Sequence, residues 1–130
     1  MNDHRLILFG LIYLLLDAIW LYTMTTPFYR PRFERIQQTR LTFKMAYAIA
    51  AYVLLLFTMV FVCIPLVRVY PKVHPSLVFA MVGLSIYGVY NMTNGAVFDD
   101  YGVDLCMVDT AWGLSSFAFM GWLYGRMESS

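Results

Sequence analysis

The chain has 130 residues, of which 61% are hydrophobic and 13% charged, and its formal net charge is +1. Ordinary soluble domains carry roughly 25% charged residues, and a chain this short cannot hide so much apolar side chain in a core of its own. Lipid is therefore the expected solvent. The near-neutral balance gives no attraction to nucleic acid or acidic substrates, and no nucleic-acid-reading motif is present.

Met1–Arg5 is a short polar start, and the first apolar run extends from Leu6 to about Thr26. As a signal peptide it lacks a basic n-region beyond Arg5 and any A-x-A-like cleavage site, so a spanning helix is the reading adopted. That helix carries Asp17, which costs roughly 2.5–3.5 kcal/mol near mid-span on insertion scales. Eleven Leu, Ile and Phe residues in the same run return roughly 0.3–0.6 kcal/mol each and outweigh it. Pro27 and Pro31 are expected to stop the helix. The following loop to Lys44 is the most basic stretch, with Arg30, Arg32, Arg35, Arg40 and Lys44 against Glu34. Its apolar residues Phe33, Ile36, Leu41 and Phe43 fit either a short helix lying in the headgroup layer or a solvated loop.

Met45–Val67 and Ser76–Phe98 are uncharged runs of 23 residues each, long enough as helices to cross a bilayer. Gly83, Ser85, Gly88 and Gly95 in the later run allow close helix approach. Phe98–Gly102 reads as a tight turn. The last uncharged run, Thr110–Gly125, has only 16 residues, short of the roughly 20 a span needs. A fourth span must therefore begin near Asp104 and carry Asp109 inside the membrane. Gly121-x-x-x-Gly125 is a weak packing signal near its end.

The fold expected is all-α, an integral membrane four-helix up-down-up-down bundle, in one domain with spans at about 6–26, 45–67, 76–98 and 104–125. Its surroundings are the lipid bilayer, with a homo-oligomer as a further expectation. Lys and Arg divide 5 (in the 27–44 loop) against 4 (Arg5, Arg68, Lys72, Arg126), so the positive-inside rule leans only weakly toward a cytoplasmic 27–44 loop. Cys63 and Cys106 lie toward opposite faces and cannot pair within one chain. They also lack ligand spacing.

Chemistry concentrates in Tyr90–Gly113 and at Asp17. At roughly 1.5 Å per residue, Asp109 and Asn94 lie about 8 Å below the face carrying the 99–104 turn, Asn91 about 12 Å and Asp17 about 15 Å. Helical spacing aligns Tyr13, Asp17 and Trp20 on one face, Tyr87, Asn91 and Asn94 on another, and Asp109 with Trp112 on a third. Ionisable groups inside spans face a bundle interior or a cavity. The expected site is thus a polar cluster of Asp17, Asn91, Asn94 and Asp109, supported by Tyr13, Trp20, Tyr87 and Trp112. Two uses remain open: hydrogen bonds fixing helix register, as in a membrane scaffold or accessory subunit, or a site for a proton, cation or small polar substrate, as in a small transporter-like protein. Asp99-Asp100-x-x-x-Asp104 admits a third, Mg²⁺ holding a diphosphate, though four helices are few for such an enzyme. No catalytic nucleophile–base pair is present and no cofactor is expected. Asp17-x-x-Trp20 and Asp109-x-x-Trp112 share D-x-x-W, too few matched positions to argue an internal repeat.

These residues also carry a resemblance. Leu16-Asp-Ala-Ile-Trp-Leu21, Phe28-Tyr-Arg30, Ile64-Pro-Leu66, Tyr90-Asn-Met-Thr-Asn94 and Val108-Asp-Thr-Ala-Trp-Gly113 together resemble the family of small predicted membrane proteins called domain of unknown function 2177, found mainly in bacteria. The resemblance covers nearly the whole chain and implies four spans, in a bacterium across the inner membrane. It implies no activity. The family pattern reads Tyr-Asp-Leu-Thr-Asn in the third span, so Asn91 here replaces an acid and removes one potential charge.

Overall fold

The computed structural model describes residues Met1–Ser130 and contains helices, turns and no strand. The first long helix begins with α1, Asp3–Met24, capped by the Asn2 side chain accepting from the Arg5 N–H. It does not stop at Pro27 or Pro31. Thr25–Tyr29 forms one wide π-helical turn and leads straight into α2, Arg30–Gln37. The same device recurs in the second long helix, where α3, Met45–Thr58, passes through a π turn at Met59–Cys63 into α4, Ile64–Val69. Each wide turn lies just before an X-Pro step, Arg30-Pro31 or Ile64-Pro65. Proline lacks an N–H and its ring crowds the carbonyl four residues back. Shifting the ladder by one residue absorbs that mismatch without ending the helix. The shift is visible in the bonds: Arg30 N–H donates to Thr25 O, and Ile64 N–H to Met59 O. Arg32 also turns back to donate to the carbonyl of Phe28 at 3.0 Å.

The helix therefore ends only at Gln38, which takes a left-handed φ of 61°, a conformation that terminates helices. Residues of α2 that fitted a headgroup helix or a solvated loop instead pack inward: Phe33 and Ile36 lie against the buried Tyr29, Tyr101, Leu105 and Cys106. The third and fourth long helices are α5, Pro75–Val97, and α6, Val103–Glu128, joined by the expected turn.

Contacts fix the directions. Gly10 lies near Leu56 and Asp17 meets Tyr52, so α1 and α3 are antiparallel. Phe9 stacks edge-on against Phe79 near the starts of α1 and α5, whereas Arg5 reaches the end of α6 at Met127. The order is up-down-up-down, with both termini and the 70–74 turn at one end. The α5/α6 pair is the tightest. A Cβ on Gly83 would stand 2.6 Å from Phe117 Cβ, one on Gly113 2.6 Å from Tyr87 Cβ, and one on Gly121 2.9 Å from Phe79 Cβ. By contrast Gly88, Gly95 and Gly125 meet neighbours only at 3.5–4.0 Å. Gly83, Gly113 and Gly121 thus carry the close approach, and Gly125 adds nothing to it.

Only 21 of the 130 residues are buried. Ile7, Leu11, Leu15 and Ile19 along α1 and Val53, Leu54, Phe57 and Phe61 along the second helix are exposed, an apolar surface that water does not tolerate at this extent. Asp3–Gln37, Met45–Val69 and Pro75–Val97 are each long and apolar enough to cross a membrane. At 26 residues α6 has the length, but Asp104, Asp109 and its small polar residues lower its hydropathy. Inside, two apolar clusters form. One surrounds Phe9, Tyr13, Met59, Phe79, Phe117 and Tyr124 toward the termini; the other surrounds Tyr29 and Tyr101 at the opposite end. The polar residues lie between them.

Candidate functional site

Asp17 of α1 is 6% exposed. Its Oδ1 accepts from Trp112 Nε1 of α6, and its Oδ2 from the Tyr52 hydroxyl of α3, both at 2.7 Å. Asp109 of α6 is held in the same manner. Its Oδ1 accepts from the Tyr29 hydroxyl and its Oδ2 from Asn91 Nδ2 of α5, both at 2.8 Å. Asn91 is fully buried. Its Nδ2 also donates to the carbonyl of Tyr87 at 2.8 Å, and its Oδ1 accepts from the Tyr101 hydroxyl at 2.5 Å. Both amide ends are thus used, as a buried amide requires.

The two D-x-x-W segments meet. Trp20 and Trp112 stack with centroids 4.3 Å apart and planes within 4°. Neither indole serves the acid of its own segment. Trp112 donates across to Asp17, while Trp20 donates to the Tyr29 hydroxyl at 3.1 Å, which in turn donates to Asp109. Antiparallel α1 and α6 are thus tied together across the stacked indoles, directly at Asp17 and through Tyr29 at Asp109. One network results, in which the hydrogen-bonded run of Tyr52, Asp17 and Trp112 meets the run of Trp20, Tyr29, Asp109, Asn91 and Tyr101 through the stacked indoles. It links all four long helices.

Of the expected residues, Asp17, Asn91, Asp109, Trp20 and Trp112 come together in this path. Asn94 is half-buried and makes no hydrogen bond to the other three. Tyr13 is fully buried, and its hydroxyl has no hydrogen-bond partner. It lies within electrostatic reach of Tyr87, Asp17 and Tyr52. Three tyrosines that sequence reasoning passed over complete the network: Tyr29, Tyr52 and Tyr101. Tyr29 stands inside Phe28-Tyr29-Arg30, but its inward aim depends on the π turn. Tyr52 carries no signal in an otherwise apolar run. Tyr101 belongs to a turn expected to face water, yet it is 7% exposed.

The charge of the cluster is one-sided. The ion pairs are Met1 with Glu128, Arg30 with Glu34, and Arg32 with Asp104; none reaches Asp17 or Asp109. Arg32 takes Asp104 with both Nε and Nη2, at 2.9 and 2.6 Å. That guanidinium, with the Leu105 N–H, holds the Asp104 carboxyl below the usual carboxylate range. Asp99, Asp100 and Asp104 do not converge with one another or with other ligating side chains into a metal-binding group.

Both unpaired acids open onto one cleft of about 500 Å³, bounded by α1, α3, α5 and α6. Ten of its twelve lining residues are hydrophobic, among them Phe43, Tyr52, Tyr87 and Tyr90. It exists because α3 stands off from its neighbours: Met45–Thr58 buries no residue, whereas Met59, Cys63 and Ile64 beyond it pack into the core.

Fold and composition together define a helical membrane protein with a polar layer between two apolar cores. The chain matches the family described as "Predicted membrane protein (DUF2177)" over residues 5–125 and belongs to it. No curated protein and no solved structure matches it significantly.

Proposed function

We propose that this protein crosses the bilayer four times and binds a proton or cation between its helices, as a small transporter-like protein, with Asp17 and Asp109 supplying the negative charge. The observation that carries this reading is the pair of carboxylates with no basic partner lining a single cleft. Buried charge is costly unless compensated, and ionisable groups in a span face cavities or one another. Neutral donors satisfy the oxygens of the two acids but no base balances their charge, which a bound proton or cation would do. Support for the fourth span comes from the 26-residue α6 packing antiparallel along α5.

The rival reading, a membrane scaffold or accessory subunit, draws on the same hydrogen bonds. Four donors already satisfy the two carboxylates, and each such bond contributes on the order of 0.6 kcal/mol in membranes. Liposomes holding a trapped pH dye separate the two. Under an imposed gradient the wild type is expected to move protons faster than empty liposomes, and Asp17→Asn and Asp109→Asn to abolish the excess while still folding. A wild type indistinguishable from empty liposomes sinks the binding reading in favour of the scaffold.

A further inference from the structure

We infer that the cleft binds a lipophilic organic cation, a bulky or delocalised positive charge carried on an apolar body. This rests on the reading of Asp17 and Asp109 as a cation or proton site, and it names the occupant.

Size comes first. A cleft of about 500 Å³ falls within the roughly 300–1,000 Å³ typical of small-molecule pockets. A proton needs no cavity, and a hydrated metal ion needs polar walls. These walls are hydrocarbon and aromatic except for the two acids. A hard cation such as Na⁺ or Mg²⁺ demands several oxygen ligands, and the carboxylate oxygens here each already accept a hydrogen bond. A bulky organic cation asks for less. It needs Coulomb attraction at close range and an apolar surface, and the tyrosine and phenylalanine rings of Phe43, Tyr52, Tyr87 and Tyr90 add favourable faces for positive charge.

Access is consistent with the same chemistry. The rim residues Leu54, Phe43 and Tyr90 are 64%, 73% and 51% exposed, so the mouth lies on the lipid-facing flank where α3 stands away. An amphiphilic cation already partitioned into the bilayer meets that mouth directly. Beneath the floor lies the fully buried Tyr13, beside Asp17, Tyr52 and Tyr87 of the cleft lining.

The test uses full-length protein in nanodiscs of zwitterionic lipid, with tetraphenylphosphonium as the probe and tetraphenylborate, of matching shape and opposite charge, as control. Binding is read by equilibrium dialysis against empty nanodiscs. Tetraphenylphosphonium is expected to bind at one per chain and tetraphenylborate not at all. Asp109→Asn and Asp17→Asn should each weaken binding by about tenfold or more, as expected when one member of a desolvated charge pair is removed. Ala51→Trp supplies a variant independent of the polar network. Ala51 is exposed and lines the cleft, so an indole there fills the mouth while leaving every hydrogen bond of the acids in place. It should abolish probe binding and keep the dye-reported proton movement. Equal retention of both probes, or undiminished binding in Ala51→Trp, overturns the inference. If protons still move under those outcomes, the proton-site reading stands without this occupant; if they do not, both fall together.

Discussion

Gly113→Ala probes the packing on which the polar layer depends. The added methyl would stand 2.6 Å from Tyr87 Cβ, where ordinary contact begins at 3.4 Å. Tyr87 Cβ is fixed to the α5 backbone, so no rotamer change relieves the clash. The helices must part by the difference, 3.4 − 2.6, about 0.8 Å. Trp112 is the preceding residue, so a displacement of α6 on that scale strains or breaks its 2.7 Å bond to Asp17 of α1. Overpacking costs about 1–3 kcal/mol, and the lost bond adds about 0.6 kcal/mol, with about 1.7 as the upper end. Reversible unfolding in mixed micelles, followed by tryptophan fluorescence, measures the total. Gly125→Ala is the control, because its methyl would meet Pro75 Cγ at 3.5 Å without strain. It should be neutral or stabilise by up to about 1 kcal/mol through helix propensity. A Gly113→Ala variant as stable as Gly125→Ala would refute the close-packing argument.

Asn91→Leu keeps the volume but strands the Tyr101 hydroxyl and removes a donor from Asp109. At about 1–3 kcal/mol for each unsatisfied group, it should destabilise well beyond Asn94→Leu in the same unfolding assay; equal effects would place Asn94 in the network. Arg32→Ala tests the ion pair at the bundle's end. The folded Asp104 carboxyl lies below its usual range, so the pair stabilises above the ordinary carboxylate range and that gain is lost as pH falls through the lowered value. Wild-type and Arg32→Ala unfolding should therefore differ at neutral pH and converge in acid. Parallel curves at every pH would show that Arg32 acts by packing on Phe28, over whose ring it lies at 3.7 Å.

The membrane environment, the helical class and the inward faces of Asp17, Asn91 and Asp109 were legible in the sequence, since each follows from composition or from spacing along a single helix. So was the turn at Phe98–Gly102. Spacing along one helix could not reveal how separate helices share donors. Asp17 takes its indole from Trp112, 95 positions away, although Trp20 sits one turn from it. The D-x-x-W match looked accidental because its meaning lies in the antiparallel crossing of α1 and α6, which only tertiary packing creates. Pro27 and Pro31 misled for a related reason: local rules end a helix there, but a π turn preserves it and swings Tyr29 onto Asp109. Gly121-x-x-x-Gly125 does face α5 at Pro75, but only Gly121 needs to be glycine there, and the closest approaches fall at Gly83, Gly113 and Gly121.

Composition by itself determined that this chain lives in lipid, because no arrangement of 130 residues buries so much hydrocarbon from water. The helical faces that carry Asp17, Asn91 and Asp109 followed from spacing along each helix, whereas the end of the first helix did not, since it runs on to Gln37. What tertiary structure alone decided is that the acids have donors but no cation, and that α3 stands far enough away to leave a cleft before them. Hydrogen-bond partners and empty space are properties of surfaces facing one another, and no single stretch of chain encodes them.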